Sequence, residues 1–248
     1  MKSVSFSIAR VNRLRELACE AARVPDEERA VAWARGEWFV STYDASALLD
    51  VFDTLWLKPG FALHAYRLYQ QGDGNGAIWA VPDTAPKVHP RDCRRVEGTV
   101  VSIPRPPRAI PLMRAVDGDG SPWSYLSASI LRREAAEFGA SWHGCIWSSQ
   151  TIIGKAPKEG DSQGADGHDR WEQTDGAPVG KWTWRARVPQ KWEPTFVDRG
   201  KTKDVVLCIH DYIGQERIDR IRDIYPAGSY ECTSKTANVC VGEGAVIY

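Results

Sequence analysis

Two strand-like runs, FALHAYRLYQQ and AIWAVP, meet across the glycine-rich stretch Gly72-Asp73-Gly74-Asn75-Gly76. Gly and Asn accept the positive φ that tight turns demand, so the pair is expected to close as an antiparallel hairpin. That expectation commits part of the chain to antiparallel sheet. A glycine-rich run can also cradle phosphate, but that use needs a helix N-terminus directly after it. Here a strand and then Pro82 follow.

Residues 85–114 form the second constraint. They hold six prolines and carry seven basic residues against two acidic ones, a net of 7 − 2 = +5. EGTVVSI is expected to be a strand within this stretch. IPRPPRAIP is expected to run as extended polyproline II, because Pro fixes φ and removes backbone donors. Two uses are open: a stiff crossing spacer, or a basic Pro-rich ligand for an aromatic groove or an acidic partner.

Helical spacing predicts a helix across residues 9–24, and a second from DEERAVAWARGEWF with an acidic first turn. ASALLDVFDTLW is expected to be a third, short one. SPWSYLSASILRREAAEF carries complete stop and start signals: Ser121 to cap, Pro122 at the first helical position, and Gly139 to terminate. Ile213, Arg217, Ile218, Ile221 and Ile224 predict a further amphipathic helix in IGQERIDRIRDIY. The remaining runs, SWHGCIWSSQTIIG, WTWRARV, EPTFVD, DVVLCIH, SYECTS and ANVCVG, are expected to be strands. Residues 154–181 are rich in Gly and Asp and are expected to be a long mobile surface loop.

The fold class expected is therefore α+β: N-terminal helices, then a mostly antiparallel sheet with two further helices packed on it. A chain of 248 residues fits one such domain. Within it, a helical-plus-hairpin part (1–84), a basic connector (85–114) and a β-rich part (115–248) are distinguishable. The 32 basic and 32 acidic residues cancel, which lowers the expectation of nucleic-acid binding. No run approaches the roughly 20 apolar residues that span a bilayer, and the charged N-terminus lacks a signal-peptide core. A soluble cytoplasmic protein is expected. The six cysteines show no CxxC spacing and are expected to be buried free thiols, although Cys232 and Cys240 could face one another across a hairpin.

Three places could carry chemistry. In Trp142-His143-Gly144-Cys145-Ile146-Trp147, His143 and Cys145 are two apart and would share a strand face, compatible with a Cys–His pair. The flanking indoles fit a packed aromatic cluster equally well. His210-Asp211 lies at a strand end, where an imidazole could act as base or ligand, but Asp211 also suits a helix cap. Asp117-Gly118-Asp119-Gly120 resembles the start of a calcium loop, yet position 12 from Asp117 is Ala128, which offers no side-chain oxygen. No metal site and no cofactor is expected.

Eleven tryptophans are the compositional oddity, and Trp is enriched at contact surfaces. Together with the basic strip they favour a non-catalytic protein-binding or adaptor protein. Its expected binding residues are Trp142, Trp147, Arg94, Arg95, Arg105 and Arg108. A hydrolase assembling His143, Cys145 and His210 in space is the first alternative. A nucleic-acid-binding accessory protein that stacks and contacts phosphate is the second. The expected partner is another protein, with nucleic acid behind it and no membrane.

Overall fold

The computed structural model describes residues 2–23, 36–70, 73–98, 101–141, 145–158 and 180–246. The chain divides into two compact units. The first comprises Met1–Asn12, Ser149–Tyr225 and Cys232–Tyr248; the second comprises Arg13–Ser148 and Pro226–Glu231. Strand β1 (Lys2–Ser5) opens the chain, and helix α1 (Ile8–Ala21) follows. Val11, Leu14 and Ala18 are buried along α1, the three-and-four spacing of a one-sided helix.

The second unit contains β2 (Phe39–Val40), α2 (Ser46–Asp50), β3 (Leu55–Leu57), β4 (Phe61–Gln70) and β5 (Asp73–Pro82). Then come β6 (Arg94–Glu97), β7 (Ser102–Arg105), β8 (Ile110–Pro111), α3 (Leu112–Ala115), β9 (Val116–Gly118) and α4 (Pro122–Ala136). Its main sheet has the order β2-β4-β5-β8, with β3-β9 and β6-β7 as separate antiparallel pairs. Helix α4 starts as its sequence requires: the Ser124 backbone N–H donates to Ser121 Oγ at 3.1 Å, and Pro122 takes the first turn. Gly139 ends it at φ +68°. Unlike a surface helix, α4 is buried around its circumference, with Leu126, Ile130 and Leu131 inaccessible to solvent. Its Ser and Ala positions let neighbours approach closely, so it is the interior element of this unit.

The hairpin partners β4 and β5 pair as expected, and the pairing runs into the glycine-rich stretch. Pairing continues from Phe61↔Pro82 to Gln70↔Asp73, so Gly74 and Gly76 lie inside a strand. The reason is a close backbone approach. A Cβ on Gly76 would sit 2.2 Å from the Phe138 carbonyl oxygen, and one on Gly74 would sit 2.5 Å from that of Gly139. Glycine is selected there for space rather than for turn geometry.

The first unit contains β10 (Thr151–Ile153), β11 (Thr183–Trp184), β12 (Thr195–Asp198), β13 (Thr202–Asp211), β14 (Gly214–Pro226) and β15 (Thr233–Val246). With β1 they form a seven-stranded sheet of order β1-β12-β13-β14-β15-β11, β10 pairing with β13 as well. Trp192, Cys208, Ile218, Val239 and Cys240 make one apolar cluster, with Trp182 packed against it. Four carboxylates are also buried in this sheet: Asp204, Asp211, Glu216 and Asp223. Buried charge demands partners, and cross-strand ones exist. Arg222 reaches Asp204 at 2.6 Å, Arg217 reaches Asp211 at 2.6 Å, and Ser234 donates to Asp223 at 2.6 Å.

The structure is mixed helix and strand, but the expected ordering holds only in part. The chain begins with a strand, and the second expected N-terminal helix, from Asp26, falls largely outside the described residues. The expected helix over 213–225 is strand β14. Its buried positions are Glu216 and Ile218, then Asp223 and Tyr225. A register shift between Ile218 and Asp219 switches which parity faces inward, because strand side chains alternate. The bulge thereby turns a two-residue period into spacings that imitate a helix. Of SYECTS only Thr233 and Ser234 are strand, and they share the single strand β15 with ANVCVG. IPRPPRAIP is not free polyproline: Ser102–Arg105 pairs with Arg94–Glu97, and Pro is tolerated because both strands of a two-stranded ribbon are edges. Among the described residues, SWHGCIWSSQTIIG has a named strand at Thr151–Ile153 alone, and WTWRARV at Thr183–Trp184 alone. Among the described residues, no helix is long and apolar enough to cross a membrane.

Candidate functional site

In the second unit, the β6–β7 ribbon collects the arginines of the basic strip and uses them unequally. Arg105 donates to the Ala109 carbonyl from Nε at 2.9 Å and from Nη2 at 2.6 Å, and its guanidinium lies over the Trp79 ring at 5.4 Å. Trp79 in turn donates to the Pro104 carbonyl at 2.9 Å. Arg91 pairs with Glu37 at 3.0 Å, and Arg114 with Glu231 at 2.9 Å. Arg94, Arg95 and Arg108 are exposed, and among the described residues they enter no ion pair.

Two details raise the cost of that arrangement. Arg94 stands directly opposite Arg105 across the ribbon, and like charges at opposed positions destabilise an antiparallel pair. Arg108 occupies φ +60°, a left-handed conformation that disfavours a side chain by about 1–2 kcal/mol. The turn that holds it is closed by Ala109 N–H donating to the Pro106 carbonyl at 3.2 Å.

The other sequence candidates are placed as follows. Trp142 and His143 lie outside the described residues. Trp147 is 4 % exposed, in a nest of charge. Its indole N–H donates to Glu134 at 2.7 Å, and its ring faces the Arg15 guanidinium at 4.1 Å and that of Arg133 at 5.3 Å. Glu137 accepts from the backbone N–H groups of Ile146, at 2.7 Å, and Ser148, at 2.9 Å, and from that of Trp147 between them. This knot ties the segment after α4 to the end of α4 itself. Burial pushes the Glu134 carboxyl up, although its bond from Trp147 and the nearby Arg15 oppose that rise. Burial also pushes up the Cys145 thiol, against a bond from Ser148 and with Glu137 adding to the rise.

Asp117 and Asp119 serve turns. Gly118 N–H donates to Asp117 at 2.9 Å, and Ser121 N–H to Asp119 at 2.8 Å. Among the described residues, no three His, Cys, Asp or Glu side chains gather to hold a metal ion. All six cysteines, Cys232 and Cys240 included, are free thiols.

His210 lies in the first unit, on β13. It faces Glu216 across a hydrogen bond of 2.8 Å. Asp211 caps the turn instead of a helix: Ile213 N–H donates to it at 3.0 Å, and Arg217 and Gln150 bind its other oxygen. His210 also begins an aromatic wall. Its ring lies 4.0 Å from that of Tyr212 and 5.4 Å, edge-on, from that of Trp182. This wall lines a cavity of about 570 Å³, within the range of small-molecule sites. A carboxylate-oriented imidazole can move a proton, but no thiol or hydroxyl other than that of Tyr212 lines the cavity among the described residues. Sequence reasoning singled out His210 and missed Trp182, Tyr212 and Glu216. The spacing of His210 and Tyr212, two apart at the end of β13, was the available signal. The helix expected over 213–225 obscures it, because a helix starting there ends the two-residue period.

No protein-family model, no curated protein and no solved structure matches this chain.

Proposed function

We propose that the chain is a non-catalytic binding protein that engages an acidic segment of another protein through the β6–β7 ribbon. The observation that carries this reading is the exposed trio Arg94, Arg95 and Arg108, without ion pairs among the described residues. Arg94 opposes a like charge and Arg108 sits on strained backbone. An acidic partner relieves the repulsion, and guanidinium forks match carboxylates in two-point geometry. The neutral overall charge supports a protein partner over a nucleic acid, whose phosphates select for a wider basic surface. The thiols support binding over nucleophilic chemistry: burial holds Cys19, Cys93 and Cys145 protonated beyond the usual thiol range, and the thiol is the poor nucleophile.

The test is co-purification from the native host, followed by binding of an oligo-glutamate peptide and of a single-stranded oligonucleotide at low and at moderate salt. Retention of the acidic peptide, lost in Arg94→Glu/Arg95→Glu, supports the proposal. Preference for the oligonucleotide moves the reading to nucleic acid. A clean monomer that retains neither probe at low salt ends it.

A further inference from the structure

The cavity on the sheet of the first unit plays no part in the arginine ribbon, and its lining describes a ligand of its own. One wall is three rings in sequence, Trp182, His210 and Tyr212. The lining also has aliphatic residues, among them Ile8, Ile153 and Pro157. Ile8 closes over Gly154 so tightly that a Cβ there would lie 3.0 Å from the Ile8 Cβ. Such a slot accepts a flat, apolar body, since rings gain from edge and face contacts with other rings.

Its polar groups choose the charge of that body. Glu216 is buried and bonded to His210 at 2.8 Å, so its carboxylate is already engaged. Lys155 lines the cavity, is exposed, and has no ion pair among the described residues. The Trp182 indole N–H is shielded from solvent and has no acceptor among the described residues. A buried donor left unmade is costly, and an acceptor bound in the cavity that Trp182 lines would offset that cost. Among the described lining residues a cation would find no carboxylate, whereas an anion would find both an ammonium and a waiting donor.

We infer that this cavity is a binding site for a small aromatic carboxylate, the ring lying against Trp182, His210 and Tyr212 and the carboxylate meeting Lys155 and the Trp182 N–H. The inference is independent of the proposed partner at the β6–β7 ribbon, and Arg94→Glu/Arg95→Glu is expected to leave it intact.

The test uses the full chain and three probes of one size: phenylacetate, the neutral phenylacetamide and the cationic phenyltrimethylammonium. Affinities come from calorimetry, and the indole N–H resonances are followed by NMR, with Trp182 assigned through Trp182→Phe. Phenylacetate is expected to bind about tenfold more tightly than the amide, as a charge-assisted bond is stronger than a neutral one. It is expected to move the Trp182 N–H resonance downfield. Lys155→Ala, which alters an exposed side chain and no packing, is expected to weaken phenylacetate about threefold and to remove its salt dependence. Equal or tighter binding of the cation overturns the inference in favour of an aromatic cation cage. It is also overturned if no probe shifts Trp182 at about 10 mM, a concentration that detects even weak millimolar binding.

Discussion

The two units bury their interiors by different means. In the second, a helix enclosed on all sides, α4, gathers Leu126, Ile130, Leu131 and the adjacent Phe138. In the first, the sheet places four carboxylates inside and bonds them across strands, Asp204 to both Arg199 and Arg222. Apolar packing is non-directional and tolerates small movements. Charge pairs inside a sheet fix register, because a one-residue slip would leave carboxylate and guanidinium on opposite faces. The second unit therefore depends mainly on volume, with one charged knot around Glu134, and the first mainly on pairing, with one apolar cluster around Ile218.

Removing volume is the hardest test of that contrast. Phe138 is fully buried, 5.0 Å from the Tyr43 ring, and Phe138→Ala is expected to destabilise the second unit by about 3–5 kcal/mol in denaturant melts. A loss under about 1 kcal/mol would mean that packing does not dominate there.

Breaking a pair comes next. Asp204→Ala strands two guanidinium groups, but Arg199 and Arg222 keep 44 % and 41 % exposure and can turn to water. The expected cost is therefore about 2–3 kcal/mol, below that of a fully buried pair. Asp204→Asn should recover part of it. An unchanged melt would remove charge pairing as the organising device of the first unit.

The third test is alkaline titration. Burial pushes Cys208 up to about 11 and Cys240 up to about 12 from an ordinary 9.0. Folding holds both thiols protonated, while the unfolded chain releases those protons above pH 9, so their contribution is complete below pH 9 and falls as pH rises toward 11. At pH 10 the loss is about 1 kcal/mol per thiol. Cys240→Ala should flatten the slope in hydrogen-exchange measurements on β13 to β15; an unchanged slope would show that the thiols do not drive it.

The smallest effect expected is a gain. Arg94→Glu replaces a like-charge pair across the ribbon with an opposite one, worth about 0.5 kcal/mol of added stability at low salt. A loss instead would show that Arg94 has an internal role.

Local signals that need no distant partner were legible in the sequence. The Ser121 cap, Pro122 and Gly139 delimit α4 because a helix end is satisfied by residues within one turn of it. The β4–β5 pair was legible for the same reason, though Gly74 and Gly76 were misassigned: the Phe138 and Gly139 carbonyls that exclude a Cβ are some 60 positions away in the chain. Arg94, Arg95, Arg105 and Arg108 were singled out together by composition, yet only their partners separate Arg105, engaged with Ala109 and Trp79, from the exposed remainder. The same holds for Trp147, whose indole carries no mark in sequence of the Glu134 that fixes it.

By itself, then, the chain's order of residues determined a mixed α and β protein, the α4 boundaries, an early antiparallel hairpin and a concentrated basic strip. Tertiary structure alone decided that 213–225 is strand, that four carboxylates lie inside a sheet, and that Trp182, His210 and Tyr212 share a cavity. The physical reason is range. Caps, turns and charge density are set by neighbours in sequence. A bulge that flips side-chain parity, or a ring wall built from separate segments, exists only once residues far apart in the chain have paired.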